Sequence, residues 1–424
     1  MAGRRSTWLA CLITLVGLLA FANLTTDAAL DVKYGWDVRV NCAAVDAHVA
    51  GLDPYFVKNL KGTRLSYPYL PVTLDVFRPL CTGGFLVVHF RMVFVALAVL
   101  CGLLLPGLGG ARNGPRDIVL RLICVFGAFV GFEWVSASGN FAILSGLLTA
   151  AALALLLRSG VKAGHDDRSF LANVAGAALL GLVMSFKLVF CPVLAALYLL
   201  PQPRRRKLIL IAAAGLAFAL PILISMIFYA DLFSSWLLAI KGQIPNQHSV
   251  YLEETNPSLL LLVQSVADRA GLGENLPVVF AMYGLSVLAL VLGPFALLAW
   301  RTIRSGEGWL LARLDRWLVD HPRMATRLTV LAMYALYLCS PRLKEYAFFE
   351  LAIYAAILIV DLSPLALAAV LVVGIGVPSL MSLTGNAFEG GFGLLAIALV
   401  CFWILLFDFR PARMRLLPEA PLRN

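Results

Sequence analysis

Apolar runs of roughly 20 residues, rich in Leu, Ala and Val, follow one another along most of this chain. Short linkers carrying arginine and lysine separate them. Each run is the length an α-helix needs to cross the hydrocarbon core of a bilayer. A soluble domain carries about 25% charged residues, whereas this chain has 14%, against 61% hydrophobic. No single soluble core hides that much apolar surface. Lipid accepts it, provided that every backbone polar group is paired inside a helix. A closed β-barrel is excluded because it needs short alternating segments. The net charge of +10 does not point to nucleic acid, because the basic residues sit between the apolar runs as loop anchors.

The expected fold is an all-α polytopic membrane protein, 1–424 forming one membrane domain. The first span runs from about Thr7 to Ala22. Others lie near 85–108, 118–137, 141–157, 208–229, 277–300, 328–340, 347–361, 364–384 and 392–407. The run 171–200 is long enough for two short passes turning near Ser185-Phe186-Lys187, one or both of them re-entrant as the open alternative. The total is about twelve spans. Arg112, Arg116, Arg158, Lys162, Arg168, the Arg204–Lys207 cluster, the arginines of 301–327 and Arg410, Arg413, Arg415 and Arg423 then share one side. By the positive-inside rule that side is cytoplasmic, with both termini, in an inner or plasma membrane. A single crossing by 171–200 would put Arg204–Lys207 outside. The polar segments 24–84 and 230–276 therefore face away from the cytoplasm. Arg4, Arg5 and Ala20-Phe21-Ala22 also fit a cleaved secretory signal, which would leave the following loop on the same side.

Six of the eight cysteines lie in or beside apolar runs and read as small core residues. Cys42 and Cys81 share the first external loop, where a disulfide is permitted but cannot be read from sequence. The histidines are scattered, so no metal and no cofactor is expected. Phosphate loops and dinucleotide fingerprints are missing, which disfavours ATP-driven transport by this chain. In Tyr34-Gly35-Trp36-Asp37, followed by a surface helix expected over 37–50, Asp37 has two readings. It caps the helix N-terminus, or it is a general base held just above the bilayer, with Tyr34 and Trp36 to stack on a sugar. Asp46 and Asp53 read as surface or helix-end residues, and Arg91 and Arg121 as snorkelling side chains near span ends. Glu133 is expected near the outer end of its span, facing a cavity.

Asp37-x-x-x-x-x-Ala43-Ala44, Gly51-Leu52-Asp53-Pro54-Tyr55 and Leu65-Ser66-Tyr67-Pro68-Tyr69-Leu70-Pro71 together resemble glycosyltransferase family 87. That family belongs to the GT-C superfamily, whose members are polytopic transferases using polyprenyl-phosphate sugars. Gly139-Asn140, Gly181 through Lys187 with Pro192, Asn256-Pro257-Ser258-Leu259 and Ser340-Pro341-Arg342-Leu343-Lys344-Glu345-Tyr346 continue the resemblance in order. This chain has Asn140 where the family has glutamine, and Lys344, Glu345 and Tyr346 where better-known members carry histidines. The resemblance implies a GT-C-like bundle and a sugar, mannose first, passed from a polyprenyl-phosphate donor to a lipid or glycan acceptor. It also implies Asp37 as catalytic base, with Tyr67, Asn140 and Asn256 at the substrates.

Cations then belong where the donor phosphate meets the outer membrane boundary. Lys187 is the charged outlier of its apolar run, and an intramembrane lysine marks a functional site unless it snorkels to the interface. Arg342 and Lys344 break the positive-inside trend in a short external turn, as phosphate binders or as partners of Glu345 or Glu350. His248 and Asn256 are candidates for acceptor contact. The rival expectation is a lipid-sugar flippase or other secondary transporter, although no internal repeat is visible.

Overall fold

The computed structural model describes residues 2–29, 35–108, 114–158, 167–243, 256–303, 309–384 and 392–409. Among them there is no strand. The helices are α1 (Ala2–Ala29), α2 (Trp36–Val49), α3 (Thr73–Cys81), α4 (Phe85–Leu104), α5 (Pro115–Gly127), α6 (Gly131–Ser138), α7 (Ala142–Arg158) and α8 (Asp167–Phe186). They continue with α9 (Arg204–Phe228), α10 (Ala230–Ile240), α11 (Leu259–Arg269), α12 (Leu276–Val287), α13 (Gly293–Ile303), α14 (Leu310–Asp320), α15 (Pro322–Leu338), α16 (Phe348–Leu358), α17 (Pro364–Leu371), α18 (Val377–Leu383) and α19 (Gly393–Phe407). Among the described residues, 7 helical stretches are long and apolar enough to cross a membrane. Shorter apolar helices, such as Ala142–Leu157 and Gly393–Phe407, accompany them. By length and composition this is an all-helical membrane protein.

The centre is formed by α15 and α16. Every residue of α16 is buried, as expected of a helix that is apolar all round. It packs against α5, α7 and α15. The polar side chains of α15 are accounted for. Thr326 and Thr329 donate to the carbonyls of Pro322 and Ala325 at 2.8 Å, and Arg327 pairs with Asp408 at 3.4 Å. The periphery is the reverse. Leu216, Leu220 and Phe228 of α9 and Leu285 and Leu297 of α12–α13 are exposed. Such a belt is a liability in water and is what lipid covers.

The run 171–200 breaks where the sequence suggested. After α8 the chain turns through Lys187 and continues as a 3-10 helix, Leu188–Leu199. A 3-10 helix rises about 2.0 Å per residue, so this 12-residue stretch spans roughly 24 Å, close to the hydrocarbon thickness. A second break parts α5 from α6. Phe129 and Val130 there have φ of 57° and 47°, left-handed values without glycine, which cost about 1–2 kcal/mol each. The packing of Gly131 against the backbone of Phe348 and Phe349 fixes the break.

Three expectations change. The first polar segment ends earlier than Gly84, because α3 joins α4 across Gly83 and Gly84 into one apolar stretch, Thr73–Leu104. Arg121 does not snorkel. It is fully buried and donates to the carbonyls of Leu105 at 2.6 Å and Pro106 at 2.9 Å. Glu133 lines no cavity among the described residues. It accepts from Asn23 of α1 and from Ser382 of α18 at 2.8 Å.

Small residues let the helices approach, the usual device where lipid removes any hydrophobic drive between them. At Gly181 of α8 a Cβ would overlap the Ala214 carbonyl of α9, whereas a Cβ on Gly215 would meet nothing within 4 Å. Gly181→Val is therefore expected to lower the melting temperature in detergent by several degrees, and Gly215→Val to leave it within about a degree. Equal melting of the two variants would contradict the packing described here.

Candidate functional site

The site begins with two left-handed glycines that touch. Gly35, φ 79°, precedes α2, and Gly139, φ 69°, ends α6. A Cβ on Gly35 would lie 2.8 Å from the Phe90 ring, and one on Gly139 2.8 Å from Val38. Only glycine permits both the conformation and the approach. Gly35 N–H donates to Ala137 O at 2.8 Å, tying the start of α2 to the last turn of α6.

That contact sets Asn140 against Asp37. Asn140 Oδ1 accepts from Ala142 N–H at 2.8 Å, so its amide nitrogen is turned the other way. Asn140 Nδ2 donates to Asp37 Oδ2 at 2.7 Å. The helix runs 36–49 rather than 37–50, and Asp37 is not its cap, because Gly35 occupies that position and no side chain caps it. The carboxylate instead sits in the first turn, half-buried. Burial raises its pKa above the usual carboxylate value, while Asn140, Lys344, Lys187 and Ser138 pull it back.

Asp37 opens on a cavity of about 350 Å³ whose walls differ in chemistry. Lys187, Arg342 and Lys344 supply cations, and Asn41, Ser66, Tyr69, Asn140 and Tyr346 supply polar groups. Leu65, Pro68, Leu188, Phe190, Trp236 and Ile240 make the apolar side. Lys187 stands between α8 and the 3-10 helix, with its Nζ 4.2 Å from the centre of the Tyr346 ring. Burial brings its pKa down to about 8, against the opposing pull of Glu350 and Asp37. Burial also lowers that of Lys344.

The structure thus gathers Asp37, Asn140, Lys187, Arg342 and Lys344 into one cavity. Three other candidates stand outside its lining. Trp36 is half-buried at the start of α2. Tyr67 is fully buried and hydrogen-bonded to Thr73 at 2.5 Å, so its ring supports Tyr69 from behind. Asn256 accepts from Leu343 N–H at 2.6 Å, while Ser258 donates to Pro341 O at 2.8 Å. The Asn256-Pro257-Ser258 segment therefore clamps the turn that carries Arg342 and Lys344. Tyr34 and His248 lie outside the described residues.

Sequence reasoning gave no site role to Asn41 or Trp236, quoted Tyr69 and Tyr346 only within motifs, and named Glu350 only as a partner of Arg342 or Lys344. Asn41 was within reach. It follows Asp37 by four residues on α2, hence on the same helix face. Its buried Nδ2 has no hydrogen-bond partner among the described residues. Comparison with protein-family models, with curated proteins and with solved structures finds no match to this chain.

The layer carrying Asp37 is stapled. Cys42 of α2 is bonded to Cys81 at the end of α3, with Cα atoms 5.1 Å apart and a sequence separation of 39. Closing a loop of that length is worth up to ~4 kcal/mol through the unfolded chain. Replacing both cysteines by serine is expected to speed amide hydrogen exchange throughout α2 by at least tenfold while leaving α16 unchanged. Unaltered protection in α2 would mean that packing alone holds the layer.

Proposed function

We propose that this protein is a GT-C-like membrane glycosyltransferase. It moves a sugar, mannose by the resemblance, from a polyprenyl-phosphate donor to a hydroxyl of a lipid or glycan acceptor on the extracytoplasmic face. The observation that carries this reading is the cavity that holds a half-buried carboxylate, Asp37, together with Lys187, Arg342 and Lys344. A prenyl-phosphate donor has an apolar tail, an anionic phosphate and a polar sugar, and the cavity offers a counterpart to each.

Position supports the same reading. The cavity is lined by α2, segment 65–70, α10, the end of α8, the start of the 3-10 helix and the residues that follow α6 and α15, so it lies at one end of the bundle. Transporter sites lie near the midplane. Taking α1, α4, α5–α6, α7, α8, the 3-10 helix, α9, α12–α13, α15, α16, α17–α18 and α19 as passes gives about twelve. The Arg204–Lys207 cluster, Arg301, the start of α1 and the end of α19 then fall at the end remote from the cavity, which the positive-inside rule makes cytoplasmic. The Cys42–Cys81 bond suits an oxidising compartment on the cavity side.

In the proposed reaction Asp37 takes the proton from the acceptor hydroxyl. The freed oxygen attacks the anomeric carbon and forms the new glycosidic bond as the bond from that carbon to the phosphate oxygen breaks. Prenyl phosphate leaves with the electron pair, and Lys187, Arg342 and Lys344 stabilise the growing charge. One displacement inverts the anomeric centre. Asn140 keeps the carboxylate aimed and ionised.

Asp37→Asn is expected to lower kcat by on the order of 10²–10⁴ while membrane insertion and melting are retained, read by transfer of radiolabelled sugar from polyprenyl phosphate. Turnover like the wild type in that variant sinks the assignment of Asp37. Lys187→Ala is expected to raise the donor KM more than it lowers kcat. The pH profile of kcat/KM follows from the two shifted groups. Asp37 must be ionised, so the rate rises with pH through its raised pKa. Lys187 must be charged, so the rate falls as pH passes about 8. Asn140→Leu removes a donor that favours the ionised carboxylate and moves the acid limb to higher pH. An acid limb that stays in place would dissociate Asn140 from the base.

A further inference from the structure

Behind the cation wall lies a carboxylate that the proposed reaction does not use. Glu350 stands in the first turn of α16 and is 3% exposed. Its Oε2 has no hydrogen-bond partner among the described residues, and neither does Lys187 Nζ. The same holds for two buried hydroxyls of its surroundings. Tyr354 follows Glu350 by one turn on α16, and Thr149, with Ser145, faces the carboxylate from α7. Lys187 and Ser145 both line a side chamber of about 20 Å³ that shares Tyr69, Phe186 and Lys187 with the main cavity. Glu350 lies behind that lining and is hydrogen-bonded by Ser145, which forms part of it.

The Glu350 carboxylate is hydrogen-bonded from α7 by Ser145 but has no opposite charge in contact, and the enclosed Lys187 ammonium has none either, a state that burial disfavours for both. Each is the other's compensation. Lys187 faces Asp37 from α2, Glu350 from α16, and Arg342 and Lys344 from the turn after α15. The two cations in that set repel it, so a second anion is needed to keep Lys187 protonated. Asp37 alone is poorly suited, since its charge disappears when it accepts a proton in the proposed reaction.

We propose that Glu350 is the positioning residue of this site: from behind the side-chamber wall it holds Lys187 charged and turned toward the anion in the main cavity. The inference rests on the transferase reading for the identity of that anion, but not for the Glu350–Lys187 coupling itself. Glu350 touches no substrate. Its effect passes through Lys187, which keeps an anionic partner through the catalytic cycle because Glu350, its largest charge support, is not the group that takes the substrate proton.

The test uses the full-length protein in detergent and a fifteen-carbon prenyl phosphate as probe. In wild-type protein, binding is expected to weaken as pH rises through about 8, where Lys187 loses its proton. Glu350→Gln removes the supporting charge and is expected to move that alkaline limb down by about one pH unit, a tenfold loss of affinity at fixed pH. Glu350→Asp restores most of it. An alkaline limb that stays put in Glu350→Gln overturns the proposal. A second measurement needs no ligand. Melting of Glu350→Gln, Lys187→Met and the double variant forms a cycle, and the double variant is expected to lose clearly less than the two single losses combined. Additive losses overturn the proposal. Should wild-type protein bind no prenyl phosphate while the cycle still shows coupling, the pair stands and it is the donor class of the transferase reading that fails.

Discussion

Charges taken out of water must satisfy one another, and in this protein the region around Asp37 is organised by that demand. A half-buried carboxylate and three cations share a single cavity, and of the cations Lys187, whose Nζ is enclosed without a hydrogen-bond partner among the described residues, depends most on a nearby opposite charge. The geometry that brings them together is narrow. Gly35 and Gly139 touch backbone to backbone, Asn140 bonds Asp37, and Asn256 and Ser258 hold the turn bearing Arg342 and Lys344. Loosening any of these would leave a charge without its counterpart. The same balance shifts the groups, raising Asp37 and lowering Lys187 and Lys344, and separated pKa values of this kind are what acid–base chemistry near neutrality needs.

The rest of the bundle serves as a rigid mount for that arrangement. Its central helices, α15 and α16, are almost entirely enclosed. The turn between them supplies Arg342, Lys344 and Tyr346 to the cavity, so the cations are mounted on the stiff core. On the other side, α2 is held by a disulfide and by its seat on α6. Left-handed Phe129 and Val130 are explained in the same terms. A straight α5–α6 helix would not deliver Ser138, Gly139 and Asn140 to the start of α2, and the strain of the break is small beside the packing of Gly131 on Phe348 and Phe349.

Much of this was legible in the sequence because charge is conspicuous in an apolar chain. Lys187 stood out for that reason, and the break beside it, the shared loop of Cys42 and Cys81, and the grouping of Asp37 with Arg342 and Lys344 were all available from position and composition. What escaped depends on side-chain direction. Nothing in the sequence says that Arg121 turns inward to two carbonyls instead of outward to the interface. Glu133 reads as a cavity residue until α1 and α18 are seen to cover it. Tyr67 and Asn256 were marked through motifs, yet they act as supports, because a motif records which residues occur together and not which of them faces the ligand. The 3-10 form of Leu188–Leu199 was likewise invisible, since its apolar run suits an α-helix equally well.

The division of the cavity into one charged and one apolar wall bears on what it can bind. A soluble anion would gain from Lys187, Arg342 and Lys344, but it would leave Leu65, Leu188, Phe190, Trp236 and Ile240 facing water. A purely apolar ligand would cover those side chains and strand the cations. Only a molecule that is anionic at one point and apolar beside it satisfies both walls at once. Such a molecule is already oriented by the bilayer, with its head at the boundary and its tail among the helices. The protein therefore has little orienting left to do. On the transferase reading, binding energy that a soluble enzyme would spend on capturing and aligning its substrate would be left here for holding Asp37 ionised and the cations in place.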